Sequence, residues 1–434
     1  MRSPQAEMLK PLIELMTSAY IFCDAEIVSF FIVSIILEGG SFMLISIAVI
    51  LLSGLMLGKF CKMIRIPGLV GMMIAGILAG PYALNLIDGS ILTVSADIRR
   101  IALIIILIRA GLKLDLSDLR KAGRPAVLMC FVPACFEMLG MAIFAPRLLG
   151  MGRLDAAILG AVIGAVSPAV VVPRMIRLID EGYGCDKAIP QMILAGASVD
   201  DVFVIVMFTT FTGLAQGKGI NVMRFGDIPV SIITGVLIGG SVGFLMHRLF
   251  TIFQMDRLIK TMILLCASFC LSALETDASV FPFASLIAVM CAGVVIRRKC
   301  PDMAREISGQ YDKLWVAAEV FLFVLVGASV AIDHVVLAGG SSVVLILIVL
   351  VFRMAGVFVC LLGTNLNFRE KLFCMIAYTP KATVQAAIGG VPLAMGLSCG
   401  QTVLTVSVIA ILLTAPLGAL GIDLTYKNLG VAEK

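Results

Sequence analysis

The chain has 434 residues, of which 60% are hydrophobic and 14% are charged, and its formal net charge is +5. Its mean hydropathy is +1.09, whereas soluble domains are about half apolar and about a quarter charged. A water-soluble protein of this length could not bury so much apolar surface. The composition therefore excludes soluble enzymes and binding modules, and it predicts a protein that crosses the bilayer many times.

Thirteen apolar segments follow one another along the chain, each close to the roughly 20 residues that a helix needs to cross a bilayer. They cover residues 41–60, 67–87, 98–117, 124–146, 154–177, 187–213, 228–250, 259–276, 279–297, 313–332, 335–363, 370–396 and 400–422. A shorter fourteenth, at about 20–38, is interrupted by Asp24 and Glu26. None shows the alternation of a membrane β-barrel. The predicted fold is an all-α polytopic membrane protein with 13–14 transmembrane helices.

The basic residues are concentrated in alternate loops. The loops after odd-numbered segments, together with the C-terminal tail, hold most of the Lys and Arg, and those after even-numbered segments hold few. Basic loops remain on the cytoplasmic side of a membrane. We therefore expect a multi-pass protein of the plasma (inner) membrane with a cytoplasmic C-terminus.

The cysteines give no sign of a metal site. The 12 Cys form no CxxC pair and no metal-type grouping with the two His, so we expect neither a disulfide framework nor a bound metal cofactor. Little of the chain lies outside the apolar segments, which leaves little room for an enzyme domain. We expect a protein that is not an enzyme and that contacts membrane lipids rather than nucleic acid.

Two adjacent acids, Asp200 and Asp201, lie near the middle of segment 187–213. A charge at membrane depth costs several kcal/mol unless it is paired or hydrated, so such residues usually serve a function. Neighbours on a helix point about 100° apart. One of the two acids can therefore face a mobile cation while the other faces a fixed positive group.

Prolines interrupt two segments in opposite halves of the chain. Segment 154–177 contains Ser167-Pro168, and segment 370–396 contains Pro380-Lys381. Proline removes a backbone donor and frees a carbonyl four residues earlier. Two such breaks, seven segments apart and so running in opposite directions, are typical of transporter sites built from inverted repeats. Ordinary kinks are the alternative.

Other charged residues also lie within apolar runs. Arg353 stays protonated under any realistic condition, so it needs a permanent anionic partner, for which Glu137 is a candidate. Arg109 is close enough to a segment end to extend toward the cytoplasmic face, and Glu319 has no role that the pattern assigns.

Three strings together resemble the NHA branch of the cation:proton antiporter superfamily. They are GAVSPAVVVP at 164–173, SVDD at 198–201 and PKATVQAAIG at 380–389. The likeness runs in order from about residue 41 to 422, and the compact length suggests a bacterial member. It implies exchange of Na⁺ or Li⁺ for H⁺ by a homodimer, in which two crossed, broken helices belong to a mobile core beside a dimerisation panel.

The resemblance also implies a domain division. The N-terminal segment with its possible extra helix is followed by alternating parts of the panel and the core, and then by a short cytoplasmic tail. The expected boundaries are 1–40 for the N-terminal segment, 41–97 and 216–310 for the panel, 98–215 and 311–425 for the core, and 426–434 for the tail.

By position, the resemblance assigns roles to individual residues. Asp201 matches the ion-binding acid and Asp200 its neighbour, while Ser167 and Thr383 match hydroxyl positions near the ion. No cofactor is implied beyond the transported ions.

Three further residues match groups that compensate charge, namely Arg353, Glu137 and Lys381. Electrogenic relatives have lysine where this chain has Arg353, and arginine cannot release its proton, so we expect an electroneutral 1:1 exchange. Glu319 departs from the non-acidic residue of animal members.

An electrogenic Na⁺/H⁺ or K⁺/H⁺ antiporter and a cation channel stay open as alternatives. An organic-anion symporter and an intramembrane aspartyl protease fit less well, because the protease needs its two acids on different helices.

Overall fold

The computed structural model describes residues 42–64, 66–114, 116–216, 227–253, 255–277 and 284–429. All of the secondary-structure elements in these ranges are helices. In chain order the helices are α1 (Phe42–Met63), α2 (Gly68–Ala79), α3 (Gly89–Thr93), α4 (Ser95–Lys113), α5 (Leu116–Met129), α6 (Val132–Leu149), α7 (Arg153–Ile163), α8 (Pro168–Glu181), α9 (Ile189–Ala215), α10 (Asp227–Ile252), α11 (Arg257–Asp277), α12 (Ser285–Lys299), α13 (Pro301–Ala328), α14 (Ile332–Cys360), α15 (Phe368–Ala377), α16 (Thr383–Ile388), α17 (Val391–Ala394) and α18 (Gly400–Thr425), followed by a 3₁₀ turn at Tyr426–Asn428.

Each of the thirteen predicted segments coincides with one helix or with consecutive helices. Eight helical stretches in the described part of the chain are long and apolar enough to cross a membrane. The chain is therefore an all-α polytopic membrane protein, as the composition predicts. The segment at about 20–38 lies outside the described residues.

Two of the differences from the predicted bounds have identifiable reasons. Helix α13 begins at Pro301 rather than at 313, because its first three turns are polar and continue the helix beyond the apolar run. Proline suits this first position, where a helix has no use for the N–H. Segment 124–146 is divided between α5 and α6, which are separated at Phe131 by a non-helical backbone.

Helices α1, α2, α4, α10, α11, α12 and α13 form one packed group, which is called the panel helices below on the basis of this packing. Helix α13 lies along α2 and α4, and α12 lies along α4 and α10. Helices α2 and α13 approach closely at two glycines. A Cβ on Gly76 would meet the Val324 carbonyl, and one on Gly327 would meet the Met73 carbonyl. Small residues thus allow the backbone contact that membrane helices use for association.

The core helices α5 to α9 and α14 to α18 form the second group, which contains both interrupted segments. Helix α14 packs along α6, α9 packs against α5, α7 and α8, and α18 contacts α14, α15 and α17. Helices α4 and α13, which the expected division places in the core, pack chiefly on panel helices and also touch α16. The domain boundaries and the inverted-repeat relation stay predictions.

Candidate functional site

The two interrupted segments are broken at their prolines. Residues 164–167 separate α7 from α8, and residues 378–382 separate α15 from α16. Pro168 is the first residue of α8, where its missing N–H costs nothing. The breaks leave backbone groups without helical partners in the interior, so these groups must find others.

The two breaks cross and bond to each other. The Ser167 N–H donates to the Pro380 carbonyl at 2.8 Å. From the other segment, the buried Gln385 amide donates to the carbonyls of Ile163 at 3.2 Å and Ala165 at 3.0 Å. Polar backbone that would be exposed to lipid is therefore satisfied inside the protein.

Arg353 on α14 lies at the centre of the crossing and is fully buried. Its Nη1 donates to Glu137 Oε2 at 2.7 Å and to the Gly164 carbonyl, and its Nη2 donates to Asp200 Oδ2 at 2.8 Å. Its Nε donates to the Tyr378 carbonyl at 2.5 Å. The Gly164 carbonyl is four residues before Pro168, so it is the acceptor that this proline frees. One guanidinium thus links both breaks to two acids.

Lys381, in the second break, completes a charge cluster. Its Nζ donates to the same Glu137 Oε2 at 2.6 Å, and both side chains are fully buried. When all four are ionised, the cations Arg353 and Lys381 balance the anions Glu137 and Asp200. The cluster is then neutral, which is the condition under which buried ions are tolerated.

The adjacent acids Asp200 and Asp201 have different surroundings. Asp200 Oδ2 accepts from Arg353 and, at 2.8 Å, from the Val166 N–H. Asp201 is 9% exposed, and its Oδ1 has no hydrogen-bond partner. No ion pair to Asp201 occurs among the described residues. The second carboxylate is therefore left outside the neutral cluster.

Two hydroxyls at the breaks are also without partners. Ser167 precedes α8 and Thr383 begins α16, and the side-chain oxygens of both are buried with no hydrogen bond. Asp200 Oδ1 is unpartnered as well. Oxygen atoms of this kind suit a hard alkali cation.

A cavity of about 1490 Å³ reaches Asp201. Its walls come from core helices α8, α9 and α18 and from panel helices α2, α4 and α13. Lys62, Lys113 and Lys427 line it, and these residues are on the side that the charge pattern assigns to the cytoplasm. Toward the opposite side, the buried Arg99 of α4 lies against Gly390, just after α16. Asp201 therefore lines the same cavity as these basic residues.

Some ion pairs near the site were not found from the sequence. Arg109 Nε donates to Asp312 at 2.5 Å and Lys113 donates to the same carboxylate at 2.7 Å, while Arg174 pairs with Asp423 at 3.2 Å. The partners are far apart in the chain, so no spacing rule reveals them. Gln385 could have been noticed, because a buried amide in a broken helix needs backbone partners.

Discontinuous helices that cross beside buried ion pairs, with one acid in the wall of a cavity, define a secondary transporter of small ions. Comparisons with known proteins agree. Residues 47–426 match the family described as "Sodium/hydrogen exchanger, transmembrane". The chain is 34% identical over 379 residues to sodium/hydrogen exchanger 9B2 of Mus musculus, covering 84% of this chain and 69% of that protein. The chain is 33% identical to sodium/hydrogen exchanger 9B2 of Homo sapiens, and the match covers 89% of this chain and 75% of that protein.

Among solved structures, the fold is similar to that of the sodium proton antiporter MjNhaP1 from Methanocaldococcus jannaschii at pH 8. The TM-score is 0.78 at 18% identity, and the match covers 91% of this chain and all of the other. The chain belongs to the sodium/hydrogen exchanger family. This confirms the resemblance and the expectation of a transporter rather than an enzyme.

Proposed function

We propose that the protein is a secondary active antiporter that exchanges Na⁺ or Li⁺ for H⁺ by alternating access of the core helices. The observation that carries this proposal is Asp201, an uncompensated carboxylate beside a neutral cluster and in the wall of a cavity. A proton or an alkali cation can balance its charge, so binding of one expels the other.

The same charge balance accounts for coupling. With neither ion bound, the site carries one net negative charge, which is costly to move through the apolar interior of the membrane. With either ion bound, the site is neutral and the core can cross. Coordination of the cation is proposed to involve Asp201, Asp200, Ser167 and Thr383, together with water and freed carbonyls, and no resident cofactor.

Charge compensation is proposed for Arg353, Glu137 and Lys381, and it bears on the stoichiometry. Asp200 stays paired with Arg353, which cannot release a proton. Only Asp201 then exchanges a proton for a cation, which gives 1:1 electroneutral exchange. Lys381 supports the electrogenic alternative, because it shares one Glu137 oxygen with Arg353 and is able to deprotonate.

For the assembly, we propose a homodimer formed through the panel in the plasma (inner) membrane, surrounded by lipids and with the C-terminus in the cytoplasm. The concentration of basic residues in alternate loops supports this orientation. The packing of α4 and α13 supports placing both at the boundary between panel and core. A bacterial source stays a prediction.

The test uses purified protein in liposomes with an internal pH-sensitive dye, challenged in turn with Na⁺, Li⁺ and K⁺. For the wild type we expect Na⁺ and Li⁺ to restore the dye fluorescence. We expect no restoration by Asp201→Asn and full restoration by the control Asp302→Asn, whose side chain is 90% exposed. Exchange by Asp201→Asn at the wild-type rate would refute the proposed site. Recovery with K⁺ alone would favour a K⁺/H⁺ exchanger, and cation flux without counterflow would favour a channel. A valinomycin-clamped potential that alters the end-point would favour the electrogenic alternative.

A further inference from the structure

Glu319, on panel helix α13, lies in the wall of the same cavity as Asp201 of core helix α9. The two residues therefore line one cavity from the two groups of helices. Among the described residues, Glu319 forms no hydrogen bond or ion pair, although Lys62 and Arg109 are close enough to act on it electrostatically. The site described above makes no use of it.

The charge of this cavity makes Glu319 unusual. Its basic side chains outnumber its acidic ones two to one. The basic ones are Lys62, Arg109, Lys113, Arg174, Arg177 and Lys427, and the acidic ones are Asp201, Glu319 and Asp423. Ion pairs balance part of this charge, since Arg174 pairs with Asp423, Arg177 pairs with Glu181, and Arg109 and Lys113 share Asp312. The lining keeps a small excess of positive charge, and among the described residues its two acids without an ion pair are Asp201 and Glu319.

We propose that Glu319 is an accessory binding residue for the transported monovalent cation, on the panel side of the cavity. The proposal rests on the proposed exchange function and adds a second carboxylate to the path. Its charge offsets the basic lining and raises the local cation concentration beside Asp201. A charged cleft concentrates counter-ions in this way without contributing to the translocation step itself.

The expected signature is one-sided. Glu319→Gln raises the KM for Na⁺ about three- to tenfold when Na⁺ is presented on the cavity side, because a cleft charge alters local ion concentration by about this factor or more. The maximal rate and the KM for Na⁺ on the opposite side stay unchanged, because Glu319 lines the cavity together with the basic residues assigned to the cytoplasmic side. Glu319→Asp keeps the charge and retains a KM close to that of the wild type.

The experiment compares everted and right-side-out membrane vesicles that contain the full-length protein, with Na⁺-driven dye recovery as the readout. Glu306→Gln is the matched control. It makes the same charge change on the same helix, about 20 Å away at 1.5 Å per residue, and Glu306 does not line the cavity. Raising the choline chloride concentration tests the physical cause. The Debye length falls from about 30 Å at 0.01 M to about 8 Å at 0.15 M salt. The difference in the KM for Na⁺ between Glu319→Gln and the wild type should therefore become smaller as salt is added.

The outcomes separate this inference from the proposed function. If wild type and Glu306→Gln exchange Na⁺ normally and Glu319→Gln has their KM on both sides, the accessory site is refuted. A Glu319→Gln variant with a lower maximal rate and an unchanged KM refutes it also, since that result assigns the residue to translocation. Absence of Na⁺-driven exchange in the wild type instead refutes the proposed function on which the inference rests.

Discussion

Removal of the Arg353 side chain is the most severe single change that the structure allows at the site. Arg353→Ala deletes four hydrogen bonds, whose acceptors are Glu137, Asp200 and the carbonyls of Tyr378 and Gly164. It also removes one of two positive charges from the neutral cluster. The remaining buried groups then carry one net negative charge, and two backbone breaks lose their shared donor.

The size of the effect follows from this loss. Removing one partner of a buried ion pair costs about 3–5 kcal/mol, because the other is left uncompensated. The entropy of unfolding grows with chain length, at about 2.1 cal/mol/K per residue, so for 434 residues the unfolding midpoint falls by about 1 °C per kcal/mol, or about 3–5 °C in all. A double variant, Arg353→Ala with Asp200→Asn, restores neutrality and should be more stable than the single variant, because residues in one network couple.

The assay is thermal unfolding of the detergent-solubilised protein, followed by size-exclusion recovery of the folded species. Arg305→Ala is the control, since its pair with Asp302 is exposed and contributes at most about 1 kcal/mol. A midpoint for Arg353→Ala equal to that of Arg305→Ala would contradict the reasoning. The same would hold if Asp200→Asn lowered the midpoint further in the double variant.

Three further predictions concern packing, competition and charge. Gly327→Ala places a Cβ against the Met73 carbonyl, so we expect a lower unfolding midpoint, equivalent to about 1–3 kcal/mol of lost stability. In the control Gly240→Ala the added Cβ meets no atom within 4 Å, so the midpoint is expected to stay unchanged. Equal midpoints for the two variants would contradict the close packing of α2 and α13. If one proton competes with one cation at Asp201, the apparent KM for Na⁺ in liposomes rises about tenfold for each unit by which the pH falls in the acidic limit. The reason is that the free proton concentration changes about tenfold per pH unit. A rise of about a hundredfold per pH unit would instead indicate that two protons compete with the cation. Arg353→Lys supplies a base that can deprotonate, so we expect exchange that responds to a clamped potential, and voltage-independent exchange by a stable variant would oppose the stoichiometry argument.

The chain sequence predicted the helices well because the membrane imposes strict rules. A crossing helix needs a long apolar run, so the apolar segments coincide with the helices. Asp200 and Asp201 attract notice for the same reason, since acids are rare at membrane depth. Pro168 and Pro380 predicted the two breaks, because proline cannot supply the backbone donor that a continuous helix needs.

The local sequence pattern could not predict which residues far apart in the chain form hydrogen bonds and ion pairs with each other. It proposed Glu137 as a partner for Arg353 only because both are buried charges. It did not predict that Lys381 shares the same carboxylate oxygen, or that Gln385 bonds across the crossing. Asp312 remained unnoticed because its partner Arg109 is 203 positions away in the chain.

The sequence by itself determined the class of protein, the helical segments, the positions of the breaks and the residues whose burial demands an explanation. These follow from local free energies, since each apolar run, proline or acid has a cost that can be judged where it stands. The tertiary structure alone decided that Asp200 is enclosed in a neutral cluster while Asp201 faces the cavity with Glu319. That division depends on which distant helices pack together, because electrostatic balance is set by neighbours in space rather than in sequence.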